Sequence, residues 1–356
     1  MKICILGDTH FGMRNDSPIF HELYKNFYLN TLFPYLEEHD VNVIFQLGDL
    51  FDRRKYINFH TLEQAKTYFF DELETRGITL HTLLGNHDVY WKNTLKVNST
   101  SLVLGEYDNV VLHDTPKTVE FDGLAIDVIP WICESNEVEI KQFIAASNSE
   151  VCLGHFELVG FEMDKGNVCH EGFDPSMLSR YETVMTGHFH HPSSKGNVIY
   201  VGAPGEMTWA DYKDQRGFYI YDTNTRELEF VANPYTIFTK IFYNEEELNL
   251  TMATDDEYMS AFKGKYVKVI VSKKTNTFLF ETFIDHLVKA GPVDVSIVED
   301  FTDVNNSDII GEVDQADDTT TILDKYIDGI EVELDKNKLK TILRDIYTEA
   351  LTIESP

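Results

Sequence analysis

Seven side chains of metal-ligand type recur in one construction along this chain: Asp8, His10, Asp49, Asn86, His155, His188 and His190. Each stands just past an apolar run of strand type, and a glycine directly precedes the first of each group, as in Gly7-Asp8, Gly85-Asn86 and Gly187-His188. Residues two apart at the end of an extended strand point to the same side, so Asp8 pairs with His10 and His188 with His190. A lone Gly-Asp or Gly-His is an ordinary loop; five strand ends delivering such groups imply a shared site, since ligands of open α/β sheets bind at the carboxyl ends of strands. The donors are imidazoles, one amide and carboxylates. That nitrogen–oxygen mixture suits Mn²⁺, Fe²⁺ or Zn²⁺ and lacks the thiolates of a structural zinc site. Seven ligands exceed the needs of one ion and suit two if a carboxylate, most simply Asp49, bridges them. Two cations about 3.5–4 Å apart form the clamp used for in-line displacement at phosphorus. His87, directly after Asn86, sits beside such a centre without having to ligate it.

The positioning elements are legible as alternation. Strand Lys2–Leu6 is followed by helical spacing from Ser17 to Glu38, strand Val41–Leu47, helical spacing over Phe59–Arg76, and strand Ile78–Leu84. Strands separated by helices of this length imply crossovers and a largely parallel, buried sheet. Short runs at Asn109–Leu112, Ala125–Ile129, Val151–Leu153, Thr183–Met185, Val198–Val201, Phe218–Tyr221 and Glu227–Val231 predict a second half with mixed pairing. After Asn233-Pro234 a strand–helix–strand unit is expected: Tyr266–Val271, Phe278–Ala290 capped by Thr277, and Val293–Val298. The organisation read from this is a core over 1–234, a small cap over 235–300, an acidic linker over 301–319 and a helical tail over 320–356.

The net charge of −30 argues at first against a nucleic-acid partner, which usually leaves a basic footprint. The excess is unevenly spread: Glu299 to Asp335 carries thirteen acids and one base, Lys325, so overall sign does not decide the substrate. The four cysteines show no Cys-x-x-Cys spacing and fit reduced core thiols of a cytoplasmic protein. No apolar run of about 18 residues indicates a membrane span, and no signal-peptide pattern opens the chain.

Gly7-Asp8-Thr9-His10, Gly48-Asp49, Gly85-Asn86-His87-Asp88, Gly154-His155 and Gly187-His188-Phe189-His190 together resemble the signature of the calcineurin-like metallophosphoesterases. The resemblance implies a four-layer α/β/β/α sandwich with a dinuclear centre, a small α+β capping domain and a C-terminal helical tail. It implies that Asp8, His10, Asp49 and His190 hold one metal and that Asp49, Asn86, His155 and His188 hold the other, with Mn²⁺ the expected ion. His87 is similar to the family's non-ligand histidine, which positions the phosphate and protonates the leaving oxygen. Gly48-Asp49-Leu50-Phe51-Asp52 and Tyr200-Val201-Gly202-Ala203-Pro204-Gly205 resemble elements of the SbcD-type DNA-repair nucleases, some of which carry His at the position of Asp52. The compact cap is similar to the tailed-phage version of that subunit.

That likeness implies a DNA exonuclease, 3′-to-5′ on duplex, with endonuclease activity. It also implies a coiled-coil ATPase partner of the structural-maintenance type docked by the tail, and a homodimer through helices around Phe59–Arg76 and Thr94–Leu104. Arg14, Arg53, Arg54 and Lys55 follow the first two metal motifs and are candidates to reach phosphates. A small-molecule or phosphoprotein phosphatase on the same core is the competing reading, because the core alone does not choose a substrate. A non-catalytic scaffold is the third; the complete ligand set argues against it.

Overall fold

A computed structural model describes residues 1–245, 255–298, 327, 336, 338–340 and 342–343 of the chain. The acidic linker expected over 301–319 and most of the expected tail lie outside the described residues. The chain divides into two units. Among the described residues, one contains Met1–Met207 and Asp214–Pro234; the other gathers Thr208–Lys213 with those between Tyr235 and Val298.

In chain order the strands of the first unit are β1 (Lys2–Leu6), β2 (Val43–Gln46), β3 (Thr79–Leu83), β4 (Val89–Trp91), β5 (Thr94–Asn98), β6 (Val110–His113), β7 (Lys117–Phe121) and β8 (Leu124–Ile129). They continue with β9 (Val151–His155), β10 (Glu162–Asp164), β11 (Asn167–Val168), β12 (Thr183–Gly187), β13 (Ser193–Lys195), β14 (Val198–Tyr200), β15 (Gly217–Asp222) and β16 (Leu228–Ala232). One six-stranded sheet has the order β16-β15-β1-β2-β3-β6, with β1, β2, β3 and β6 parallel and the last two strands added antiparallel. The other runs β13-β14-β12-β9-β8-β7, parallel at its centre and antiparallel at both edges.

Alternation along each strand buries one face against the other sheet and one against helices. Ile3, Ile5, Val43, Phe45 and Leu83 meet Ile126, Val128, Val151, Leu153 and Met185 between the sheets. On the outer side of the second sheet, Ile140 and Ile144 of helix Glu137–Ala146 pack on Cys152, Val184, Val198 and Tyr200. Against the first sheet lie two long helices, Pro18–Glu38 and Phe59–Thr75, each α-helical at its ends with a π-helical middle at Tyr28–Leu32 and Lys66–Phe70. Proline at the first helical position starts one, and the Asn58 side chain, accepting from His60 N–H, caps the other. The wider π turns bring Tyr28 and Tyr68 into a stack with centroids 6.0 Å apart inside an aromatic layer that includes Phe11, Phe27, Phe33 and Phe69. These are the four layers the family resemblance implies.

Two expectations need correction. Thr94–Leu104 is not one helix: Thr94–Asn98 is β5, hairpinned to β4, and only Ser99–Val103 is helical. Its alternating Thr-Leu-Lys-Val-Asn reads as strand, and Asn98 caps the helix by accepting from Ser101 N–H. In the second unit, β17 (Phe238–Asn244), β18 (Tyr266–Lys273) and β19 (Asp294–Val298) form a parallel sheet around Val267, Val269, Phe280, Phe283 and Leu287. Its helix Thr277–Lys289 is capped by Asn276, which accepts from Leu279 N–H, rather than by Thr277. No helix among the described residues is long and apolar enough to cross a membrane.

A titratable pair sits in the first sheet. His81 on β3 and His113 on β6 meet at 2.9 Å beside Phe45. Burial, then the Lys117 charge, pushes His81 down to about 4 and His113 to about 3. The unfolded chain, titrating near 6.5, binds protons there that the folded chain refuses, so their contribution is full above pH 6.5 and lost progressively toward pH 4. The unfolding free energy from urea titration is expected to fall between pH 7.5 and pH 5, by on the order of a few kcal/mol, and His113→Leu should flatten that dependence. An unchanged slope in the variant would remove this pair as its source.

Candidate metal centre

The seven predicted side chains do converge. Asp8, His10 and His190 offer ligand atoms within 4.8 Å of one another, and Asp49, His155 and His188 do the same. His10 Nε2 lies 3.0 Å from His190 Nε2, and His190 Nε2 lies 3.6 Å from Asp8 Oδ2. In the second group Asn86 Oδ1 is 3.0 Å from His155 Nε2 and 2.9 Å from His188 Nδ1. Asp49 belongs to both: its Oδ2 is 3.8 Å from His10 Nε2 and 3.4 Å from His155 Nε2.

The local backbone explains the glycines. A side chain at Gly187 would strike the Asp8 carboxylate and one at Gly48, which sits at φ +95°, would strike His155. Three of the ligand-type residues themselves take left-handed backbone: His10 at φ 43°, Asp49 at 53° and His188 at 91°. Such positions cost about 1–3 kcal/mol each and persist where the surroundings over-determine them. Those surroundings come largely from residues that sequence reading did not single out. Gln46, wholly buried, donates to Gly48 O at 2.5 Å and accepts from Gly48 N and from Thr82 Oγ1. The Asp88 carboxylate accepts from Leu50, Phe51 and Gly85 N–H, tying the second motif to the third. Trp131 walls the second group, its ring 5.1 Å from His188 and 5.9 Å from His155. Only Asp88 left a trace in sequence, inside Gly85-Asn86-His87-Asp88.

The electrostatics are those of a site built for positive charge. Burial pushes the Asp8 carboxyl up to about 7, with Asp49 repulsion adding to it against the pull of His155 and His10. Burial opposes charge on Asp49 too, but His155, His87 and His10 hold its carboxyl well below the usual range. Burial alone would lower His10 and His155; Asp52 and Asp49 lift the first to about 9, and Asp49 and Asp8 lift the second to about 9. His188 and His190 go well below the usual imidazole value, by burial first and then by repulsion from His155 and from His10. In each group the surroundings push one imidazole up and the other down, and a bound cation would take both in their neutral form. His188 Nε2 is buried without a hydrogen-bond partner, and the Nε2 atoms of His10 and His190, 3.0 Å apart, lie within 4 Å of the Asp49 and Asp8 carboxylates. This donor set fits two divalent cations.

His87 stands beside the groups, its ring edge-on to His10 with centroids 4.9 Å apart. Its Nδ1 is 2.6 Å from the Asp52 carbonyl, its N–H donates to Asp49 Oδ1, and its buried Nε2 has no partner. The Asp52 carboxylate lies 3.4 Å from His10 Nδ1, so Asp52 braces two imidazoles at once. The basic candidates separate. Arg53 is engaged by Asp16 at 2.9 Å, by Tyr56 and by Asn15, which ties down a run of left-handed residues, Arg14, Asn15 and Asp16. Arg54 is half-buried and Lys55 exposed. Arg14, on that left-handed run, is exposed, with no side-chain hydrogen bond or ion pair among the described residues.

Two facing sheets that bring their strand ends to a paired carboxylate–imidazole centre define a metal-dependent phosphoesterase. The model of the calcineurin-like phosphoesterases matches residues 1–192, and the chain belongs to that family. It is 34% identical over 362 residues to exonuclease subunit 1 of enterobacteria phage T4, spanning 98% of this chain and 99% of that relative. Among solved structures, a novel archaeal phosphodiesterase aligns with 65% of this chain and 99% of its own, at 15% identity and a TM-score of 0.33. The Plasmodium inner-membrane-complex anchor GAP50 aligns with 84% of this chain and 97% of its own, at 13% identity and 0.37.

Proposed function

We propose that this protein is a Mn²⁺-dependent DNA nuclease, acting 3′-to-5′ on duplex ends with endonuclease activity, and the nuclease subunit of an ATPase–nuclease complex. The observation that carries the reading is the single Asp49 oxygen reaching both ligand groups, with His87 beside them. A near full-length relative named as an exonuclease subunit supports the choice of DNA over other phosphoesters and the expectation of a partner.

Asp8, His10, Asp49 and His190 would hold one cation, and Asp49, Asn86, His155 and His188 the other. When bound, such a pair lowers the pKa of water at the site and offsets charge on phosphoryl oxygens. The chain's own contribution is orientation and proton handling. Asp52 O accepts from His87 Nδ1–H, which leaves Nε2 as the free nitrogen. Burial lowers the His87 pKa, so the proton for the departing deoxyribose oxygen would come from the imidazolium that an approaching phosphate charge favours. Asp88 and Gln46 keep the motif turns rigid. Arg14 and Lys55 are the basic candidates to contact a phosphate, both being exposed with no side-chain hydrogen bond or ion pair among the described residues.

For the homodimer, support comes from Phe59 and Leu102, 89% and 72% exposed, on segments joined through the Lys66–Glu106 ion pair. A second copy of this chain is the proposed cover. The ATPase-docking tail is proposed on the family likeness alone.

End-labelled duplex DNA and an aryl phosphate monoester, each with Mn²⁺, Mg²⁺ and Zn²⁺, test the activity. Nucleotide release from the labelled 3′ end, strongest with Mn²⁺, is expected. Rapid aryl phosphate turnover beside untouched DNA would replace this reading with the phosphatase.

A further inference from the structure

We infer that Arg216 and Asp214 are positioning residues for the cation site that His190 completes; the inference rests on the two-cation reading above. Metal-bound histidines are almost always steadied through their second ring nitrogen. His155 has such a brace, Nδ1 to the Leu47 carbonyl at 2.7 Å, and His10 Nδ1 faces Asp52. His190 has none: among the described residues its ring meets only His10 Nε2 at 3.0 Å and Asp8 Oδ2 at 3.6 Å, both inside the site. Its orientation therefore has to come from its backbone.

That backbone is held from two directions. The His190 carbonyl accepts from Ala203 N–H at 3.0 Å and from Arg216 Nη1. Gly202, at φ +71°, makes the first bond possible, because a side chain there would strike the His190 carbonyl and Pro192. Both lone pairs of one oxygen are thus committed, and the direction of the His190 side chain is set with them. Arg216 is itself fixed. It is only 4% exposed, its Nη2 lies 2.9 Å from Asp214 Oδ2, and its carbonyl accepts from Asn233 N–H. The same Asp214 oxygen lies 2.8 Å from His191 Nδ1, so the carboxylate grips the residue after the ligand as well. Lys165 Nζ, 3.7 Å away, faces its other oxygen. A guanidinium suits this place because its planar fork serves a carbonyl and a carboxylate together, which an ammonium cannot do in a fixed geometry.

The test is Mn²⁺ uptake by the metal-free full-length chain, followed by electron paramagnetic resonance of the free ion, for wild type, Arg216→Lys, Arg216→Met, Asp214→Asn and His190→Ala. Wild type should take up two cations. Arg216→Met should weaken one uptake step about 10–100-fold and leave the other unchanged. His190→Ala should weaken the same step, and Arg216→Met added to it should cost nothing further. Arg216→Lys, which keeps the charge and most of the volume, covers the case in which the methionine variant does not fold; it should lose affinity at the same step. Equal weakening of both steps, no weakening, or additive losses with His190→Ala would overturn the positioning role while leaving the two-cation reading intact. A wild-type chain that takes up fewer than two cations would overturn the reading itself.

Discussion

Asp49→Asn is expected to lower DNA cleavage by roughly 10³-fold or more and to reduce Mn²⁺ uptake from two ions to at most one. One carboxylate oxygen lies near both groups: Asp49 Oδ2 is 3.8 Å from His10 Nε2 and 3.4 Å from His155 Nε2. The asparagine keeps the volume and can still accept from His87 N–H through its oxygen, so the loop need not collapse. What it removes is the negative charge that His155, His87 and His10 stabilise, and with it the electrostatic reason for two cations to sit close together. Cleavage within tenfold of wild type together with two bound ions would show that another group bridges.

His87→Ala is expected to act differently. Cation uptake should stay at two, because the side chain belongs to neither ligand group and its N–H to Asp49 survives the change. The cleavage rate should fall by about 10²–10⁴-fold, the range for loss of a positioned acid. The loss should shrink when the leaving group is a nitrophenolate, which departs without help, and be largest for the alkoxide of a DNA strand. An equal loss on both substrates would assign His87 to phosphate positioning alone. The geometry behind the expectation is that Nδ1–H is committed to the Asp52 carbonyl at 2.6 Å, so Nε2, which has no partner, is the nitrogen that takes up and delivers the second proton when a phosphate charge offsets the effect of burial.

Much of this was written locally. Apolar runs broken by Gly-Asp or Gly-His need no partner to be recognised, since strand formation, the tight turn and the ligand all lie within a few residues. The alternation of those runs with long amphipathic stretches was enough for a parallel core. Helix caps and short elements were less legible. Whether Asn276 or Thr277 caps its helix depends on which side chain reaches Leu279 N–H, and both residue types are good caps. The β4–β5 hairpin beside a short helix lies where a strand pattern of five residues and a helix pattern overlap.

What tertiary structure alone decided is how the ligands are held. Gln46 and Arg216 look in sequence like ordinary polar residues, and Asp88 and Asp52 stand out there only as members of motifs; the roles of all four arise from partners across the fold: Thr82 for Gln46, Leu50 for Asp88, His10 for Asp52 and His190 for Arg216. The same holds for Arg53, a phosphate candidate by position that Asp16 and Asn15 engage once the chain has folded. The sequence by itself picked out the side chains that the fold brings together at one centre, because ligand-type chemistry and strand-end geometry are local properties. Their protonation, their second bonds and the one oxygen between two sites depend on burial and on long-range contacts, which exist only when the two sheets have packed.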